Sequence, residues 1–127
     1  MAPPHVHDQS AARRWKGKPE DYMPINEFMD SSKSAFAGPQ HRALFHHSFG
    51  CSVIIPKLFG HTIINSDGIE VSTKDIAERH CLEDFGNKFL PTLQDYFENM
   101  SVQDWMLNGR GLPHSAKKLY EHRSENV

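Results

Sequence analysis

The chain is poor in the residues that announce most specialised protein classes. It has only two cysteines, Cys51 and Cys81, in 127 residues. Two lone thiols make no disulfide framework, and no Cys-x-x-Cys pair offers a thiolate metal centre. Both read as small core residues of a protein kept in a reducing cytosol. Apolar runs such as Val53-Ile54-Ile55 fall far short of the roughly 20 residues that span a bilayer, so no membrane association is expected. The N-terminal stretch through Pro3, Pro4, His5 and His7 has no apolar signal-peptide centre, which agrees with a cytoplasmic location. Positive charge is not in excess. The formal net charge is −2 and no basic stripe is present, so nucleic-acid binding lacks electrostatic support. There is no phosphate-binding glycine loop, no Gly-x-Ser-x-Gly and no dinucleotide fingerprint.

Histidine is what the chain has. Of nine, three lie within seven residues, His41, His46 and His47. Imidazole is the commonest metal ligand and titrates near neutral pH. A fourth, His80, stands one helical turn before Asp84, with Glu83 between them.

The length fits one domain. Residues 1–19, with three prolines and the run Arg13-Arg14-Trp15-Lys16, read as an irregular arm pinned by Trp15. Residues 20–107 read as a single compact domain, and 108–127 as a polar, mobile tail. Ile25, Phe28, Met29, Ser32 and Phe36 repeat with helical spacing, which predicts a helix over 21–36 with Pro24 in its first turn. Gly38-Pro39 ends it. A second helix is expected over 40–55, weakened at Gly50 and stopped or kinked at Pro56. Residues 61–72 predict a hairpin around Asn65-Ser66-Asp67-Gly68. A two-residue loop would pair Ile64 with Val71; a three-residue loop with left-handed Gly68 would pair Ile63 with Val71. Ser72-Thr73-Lys74-Asp75 starts a helix through Phe85, and Gly86 stops it. A shorter helix follows Pro91, and Val102, Trp105 and Met106 are expected to close the core. The fold class is therefore α+β, mainly α, with three or four helices around one core and a single β-hairpin.

On the helix after Ser72, Ile76, His80 and Asp84 share one ridge. A His-x-x-x-Asp pair can chelate a metal, or the carboxylate can orient the imidazole. His46 and His47 stand about 100° apart on a helix, so a straight helix cannot aim them both, with His41, at one ion. A distorted turn near Gly50, or His5 or His7 from the arm, would relieve this. The candidate metal ligands are His46, His47, His80 and Asp84, with His41 and Glu83 in reserve. Imidazole and carboxylate without thiolate suit zinc, iron, manganese or nickel. Metal-free acid/base chemistry at His80, or purely structural histidines, are the competing readings. Arg42 is a candidate anion-binding residue; an ordinary ion pair with Asp30 or Glu27 is its simpler role.

The combination Pro19-Glu20-Asp21-Tyr22, Asp30-Ser31-Ser32-Lys33, His41-Arg42-Ala43-Leu44-x-His46-His47, Phe59-Gly60-x-Thr62-Ile63-x-Asn65-Ser66-Asp67-Gly68, Glu78-x-His80-x-x-Glu83-Asp84 and Pro91-Thr92 through Trp105-Met106 resembles a family of short bacterial and phage proteins known only as a domain of unknown function. The likeness covers roughly residues 5–107. It implies a compact single domain and a phage or mobile-element origin, and it carries over no activity. The chain departs from the family pattern at Pro56, where acidic side chains are expected, and in the tail after Leu107.

Two functions follow as expectations. The first is a small soluble metal-binding protein with a His/carboxylate site, its catalytic role open. The alternative is a phage or mobile-element accessory protein in the host cytoplasm that binds a host protein, its histidines being structural. A homodimer fits either.

Overall fold

The computed structural model describes residues 4–116. Four helical segments and one hairpin surround a single core. The helices are α1 (Pro4–Trp15), α2 (Met23–Asp30), a π-helical turn (Gly50–Ile54) running into α3 (Ile55–Phe59), and α4 (Thr73–Asp84). Strands β1 (Thr62–Ile64) and β2 (Glu70–Ser72) pair antiparallel, and short helices α5 (Leu93–Phe97) and α6 (Asp104–Asn108) follow. This is the mainly α, α+β class expected. Ile25 and Met29 from α2, Cys51, Ile55, Val71, and Ile76, Ala77 and Cys81 from α4 form the core, joined by Tyr22 and Ala11. Among the described residues no helix is long and apolar enough to cross a membrane.

Several local expectations hold for stated reasons. Pro24 lies in the first turn of α2, where no N–H is needed. The Ser72 hydroxyl accepts the Asp75 N–H at 3.3 Å and starts α4. The hairpin takes the register that pairs Ile63 with Val71, with Gly68 left-handed at φ 78°. The Asn65 side chain fixes it by accepting the N–H groups of Asp67 and Ile69. Both cysteines are buried, their sulfurs 3.6 Å apart.

Others are corrected. Residues 4–15 are not an irregular arm; they form α1, docked between α2 and α4. The sequence hides this helix because it buries only one apolar side chain, Ala11, beside the polar His7 and Asp8. The helix expected over 21–36 stops at Asp30 and continues only as a tight 3-10 turn, Ser31–Ser34, leaving Phe36 exposed. No single helix spans 40–55. A 3-10 segment, Pro39–Ala43, gives way to a bend at 44–47, and the π-helical turn follows. Pro56 does not end that helix; it stands in the first turn of α3. Val102, Trp105 and Met106 do not close the core, being 72%, 39% and 40% exposed. The expected tail begins inside the described residues, with α6 ending at Asn108; residues 117–127 lie outside them.

Candidate metal centre

Three chain segments build the site. Helix α4 supplies His80 and Asp84, one turn apart. Asp30 is the last residue of α2. His46 comes from the bend between the 3-10 segment and the π-helical turn, so it is freed from helical spacing relative to His41 and His47. The bend is held from several sides. The His46 N–H donates to the Arg42 carbonyl at 2.8 Å, and Tyr96 of α5 donates its hydroxyl to the His46 carbonyl at 2.8 Å. Gly50 is indispensable to the turn, because a Cβ there would lie 2.0 Å from the Phe45 carbonyl oxygen.

The resulting group, Asp30, His46, His80 and Asp84, offers four ligand atoms within 4.8 Å of one another. Imidazole nitrogens and carboxylate oxygens alternate around a closed ring. His46 Nε2 lies 3.1 Å from Asp84 Oδ2 and 3.5 Å from Asp30 Oδ1. His80 Nε2 lies 3.2 Å from Asp30 Oδ1 and 3.4 Å from Asp84 Oδ2. The two imidazole centroids are 5.1 Å apart. Ligand atoms of a tetrahedral centre with bonds of about 2.0–2.1 Å stand about 3.3–3.4 Å from each other; the four contacts around the ring are close to that length, and the two separations across it lie within 4.8 Å.

A second layer orients the ligands. Asn26 donates its amide N–H to Asp8 Oδ1 at 2.6 Å, so its Oδ1 faces His80 Nδ1, 3.0 Å away. That oxygen only accepts, which puts a proton on His80 Nδ1 and leaves Nε2 facing the two aspartates. On the other side, His7 stacks on the His80 ring at 3.8 Å. Its Nδ1 meets Glu83 Oε1 at 3.0 Å and its Nε2 faces Asp84 Oδ1 at 3.3 Å. Burial opposes charge on His7, but Asp84 and Glu83 outweigh it and raise its pKa to about 9. Burial likewise opposes charge on His46, and Asp30 and Asp84 together raise its pKa. Burial alone would push the Asp30 and Asp84 carboxyls up, yet the surrounding histidines hold both well below the usual carboxylate range. The site therefore favours charge separation: two carboxylates facing positive charge.

Of the ligands the sequence proposed, the structure brings together His46, His80 and Asp84. His47 is turned away. Its Nδ1 accepts the Gly50 N–H at 2.9 Å, and its Nε2 contacts the Ala43 and Leu44 carbonyls at 3.0 and 3.1 Å. Burial lowers its pKa, as expected for a neutral ring locked by the backbone. His41 stands beside His46, its ring 5.5 Å away and its Nδ1 bonded to the Ser32 hydroxyl at 2.8 Å. Glu83 serves His7 rather than the ring of four. Arg42 lays its guanidinium over Phe85 at 5.1 Å, while Lys33 rather than Arg42 pairs with Asp30, at 3.7 Å. Sequence reasoning missed Asp30 as a ligand and gave His7 only a reserve place. The available signal was polar: Asn26 and Asp30 lie four apart, near the apolar stripe of α2, and both are buried.

Neither a curated protein nor a solved structure matches the chain. One family does, over residues 2–106 and so over most of the 127. On that match the chain belongs to the family described as "Domain of unknown function (DUF6915)".

Proposed function

We propose that this protein binds one divalent transition-metal ion through Asp30, His46, His80 and Asp84. The observation that carries the reading is the closed ring of four nitrogen–oxygen contacts between 3.1 and 3.5 Å. The proton on His80 Nδ1 supports it. With Nε2 presented as a lone pair, His80 faces two carboxylate oxygens, an arrangement that repels unless a cation or a second proton lies between them. Asp30 Oδ2 and Asp84 Oδ1 are buried without hydrogen-bond partners among the described residues, with Lys33 at 3.7 Å and His7 at 3.3 Å as their nearest cations.

Two neutral imidazoles and two carboxylates give a neutral complex with a divalent ion, which suits a buried setting. Zinc fits best, because two imidazoles and two carboxylates supply the four protein ligands of its usual structural shell. Manganese, iron and nickel are the competitors and prefer additional ligands. Elemental analysis of untagged protein tests the reading. About one metal per chain is expected in the wild type and none in Asp30→Asn or His80→Ala. Folded wild-type protein that neither carries nor takes up metal would overturn it.

A second reading is favoured by the exposure of Val102 and Leu107, 72% and 73%, close to the half-exposed Met100. Such an apolar stretch suits protein contact, with a second copy or with a host partner of a phage or mobile-element accessory protein. Arg42, its buried Nε without a hydrogen-bond partner among the described residues, is the candidate anion-binding residue. Native mass spectrometry with and without chelator separates this from metal binding, since a partner held by that surface stays bound when metal is stripped.

A further inference from the structure

The metal centre is covered on one side by α1, and the way α1 is attached is unusual. Its apolar anchor is slight: Ala11 is its one buried apolar side chain, with Ala12 and Trp15 partly covered near its end. The N-terminal half is held by polar groups that belong to the site. His7 stacks on His80, meets Glu83 and faces Asp84; Asp8 accepts from the Asn26 amide that orients His80. The C-terminal end is tied down independently. The Trp15 carbonyl accepts from the Asn65 amide at 2.9 Å and the Lys16 carbonyl from the Tyr22 hydroxyl at 2.7 Å. Immediately after come two successive left-handed residues, Lys16 at φ 71° and Gly17 at φ 70°. Gly17 is in turn fixed by its N–H to Asp67 at 2.9 Å.

We infer that α1 is a metal-gated lid, anchored at Trp15–Gly17, whose N-terminal half docks when the ion is bound and controls the ion's exit. The inference rests on the metal reading above. Its physical basis is reciprocal linkage. A bound ion fixes His80 and Asp84, which His7 engages directly and Asp8 through Asn26, and docked α1 holds those ligands in the binding geometry. Removing the ion leaves the aspartates and histidines free to rearrange, and α1 has little apolar burial to keep it in place. His7 and Asp8 are positioning residues here, acting on the ion through Asp84 and through Asn26 and His80.

Hydrogen exchange of the wild-type chain over residues 5–15, with one equivalent of zinc and after chelator treatment, tests the lid. Protection that is high with zinc and falls after chelation, while the α2 core keeps its protection, is the expected result. Zinc release to a chromogenic chelator provides a second reading. His7→Ala should still load one zinc but release it about 10-fold faster or more, as loss of an outer partner of a ligand predicts, whereas His5→Ala, altered at an exposed position of the same helix, should match the wild type. If zinc binds stoichiometrically yet α1 exchange ignores it and His7→Ala releases zinc at the wild-type rate, the lid is wrong and the metal site stands. If zinc does not bind at all, the metal reading itself falls, and the lid with it.

Discussion

His46 and His80 point their Nε2 atoms at the same two aspartate oxygens, from segments 34 positions apart in the chain, with ring centroids 5.1 Å apart. His80 meets Asp84 one turn further along α4, but His46 shares no helix with the other ligands. Their convergence depends on the bend at 44–47, on Tyr96 bracing it, and on α2 ending at Asp30. Each of these dependencies has a measurable consequence.

Removing a ligand should uncouple stability from metal. At zinc a hundredfold above its dissociation constant, a native-state site adds about 2.7 kcal/mol, or on the order of 10 °C in a domain of this size. The wild type should therefore melt higher with zinc than with chelator. Asp30→Asn should melt at one temperature in both. Calorimetry on the two proteins checks this.

Asn26→Leu should weaken binding without touching a ligand. It removes the acceptor that places the proton on His80 Nδ1 and strands the buried Asp8 carboxylate. Zinc affinity should drop about 10–100-fold. Metal-free stability should fall by about 1–3 kcal/mol. Competition titration gives the first quantity and denaturant unfolding under chelator the second.

The metal-free protein should lose stability as pH rises through neutrality. Asp30 and Asp84 outweigh burial and raise the His46 pKa above its ordinary value of 6.5. Above that value the native state holds a proton that the unfolded chain has released. The contribution is therefore full below about pH 6.5 and is lost as pH rises through the raised value. Metal binding runs the opposite way, because an imidazole must be neutral to ligate. Melts at pH 6, 7.5 and 9 should fall with pH under chelator, while zinc affinity rises over the same range.

His47 and Gly50 should prove structural. Gly50→Ala puts a methyl against the Phe45 carbonyl and should cost about 3 kcal/mol or more, with loss of zinc binding as the bend shifts. His47→Ala leaves the Gly50 N–H without its acceptor and opens a cavity, costing about 1–3 kcal/mol. It should still bind one zinc. A His47→Ala protein that folds but takes up no metal would return this ring to the ligand set.

Much of the scaffold was legible because its signals are local. Ser72 caps α4 through a hydroxyl three residues from its donor, and the turn ending at left-handed Gly68 marks the hairpin, whose register the structure then chose between the two expected pairings. The His80–Asp84 pair follows from the pitch of one helix. Asp30 and α1 were illegible for the opposite reason. Asp30 is an ordinary exposed-looking acid until three segments close around it, and α1 shows no apolar stripe because polar contacts hold it.

The chain's own order of residues determined the class of fold, the hairpin and one edge of the site, since capping, turn chemistry and helical spacing act between neighbours. Tertiary packing alone decided that His46 rather than His47 faces the aspartates, that Asp30 joins them, and that His7 covers the ring. Those choices turn on a π-helical turn and a bend whose cost only the assembled core sustains.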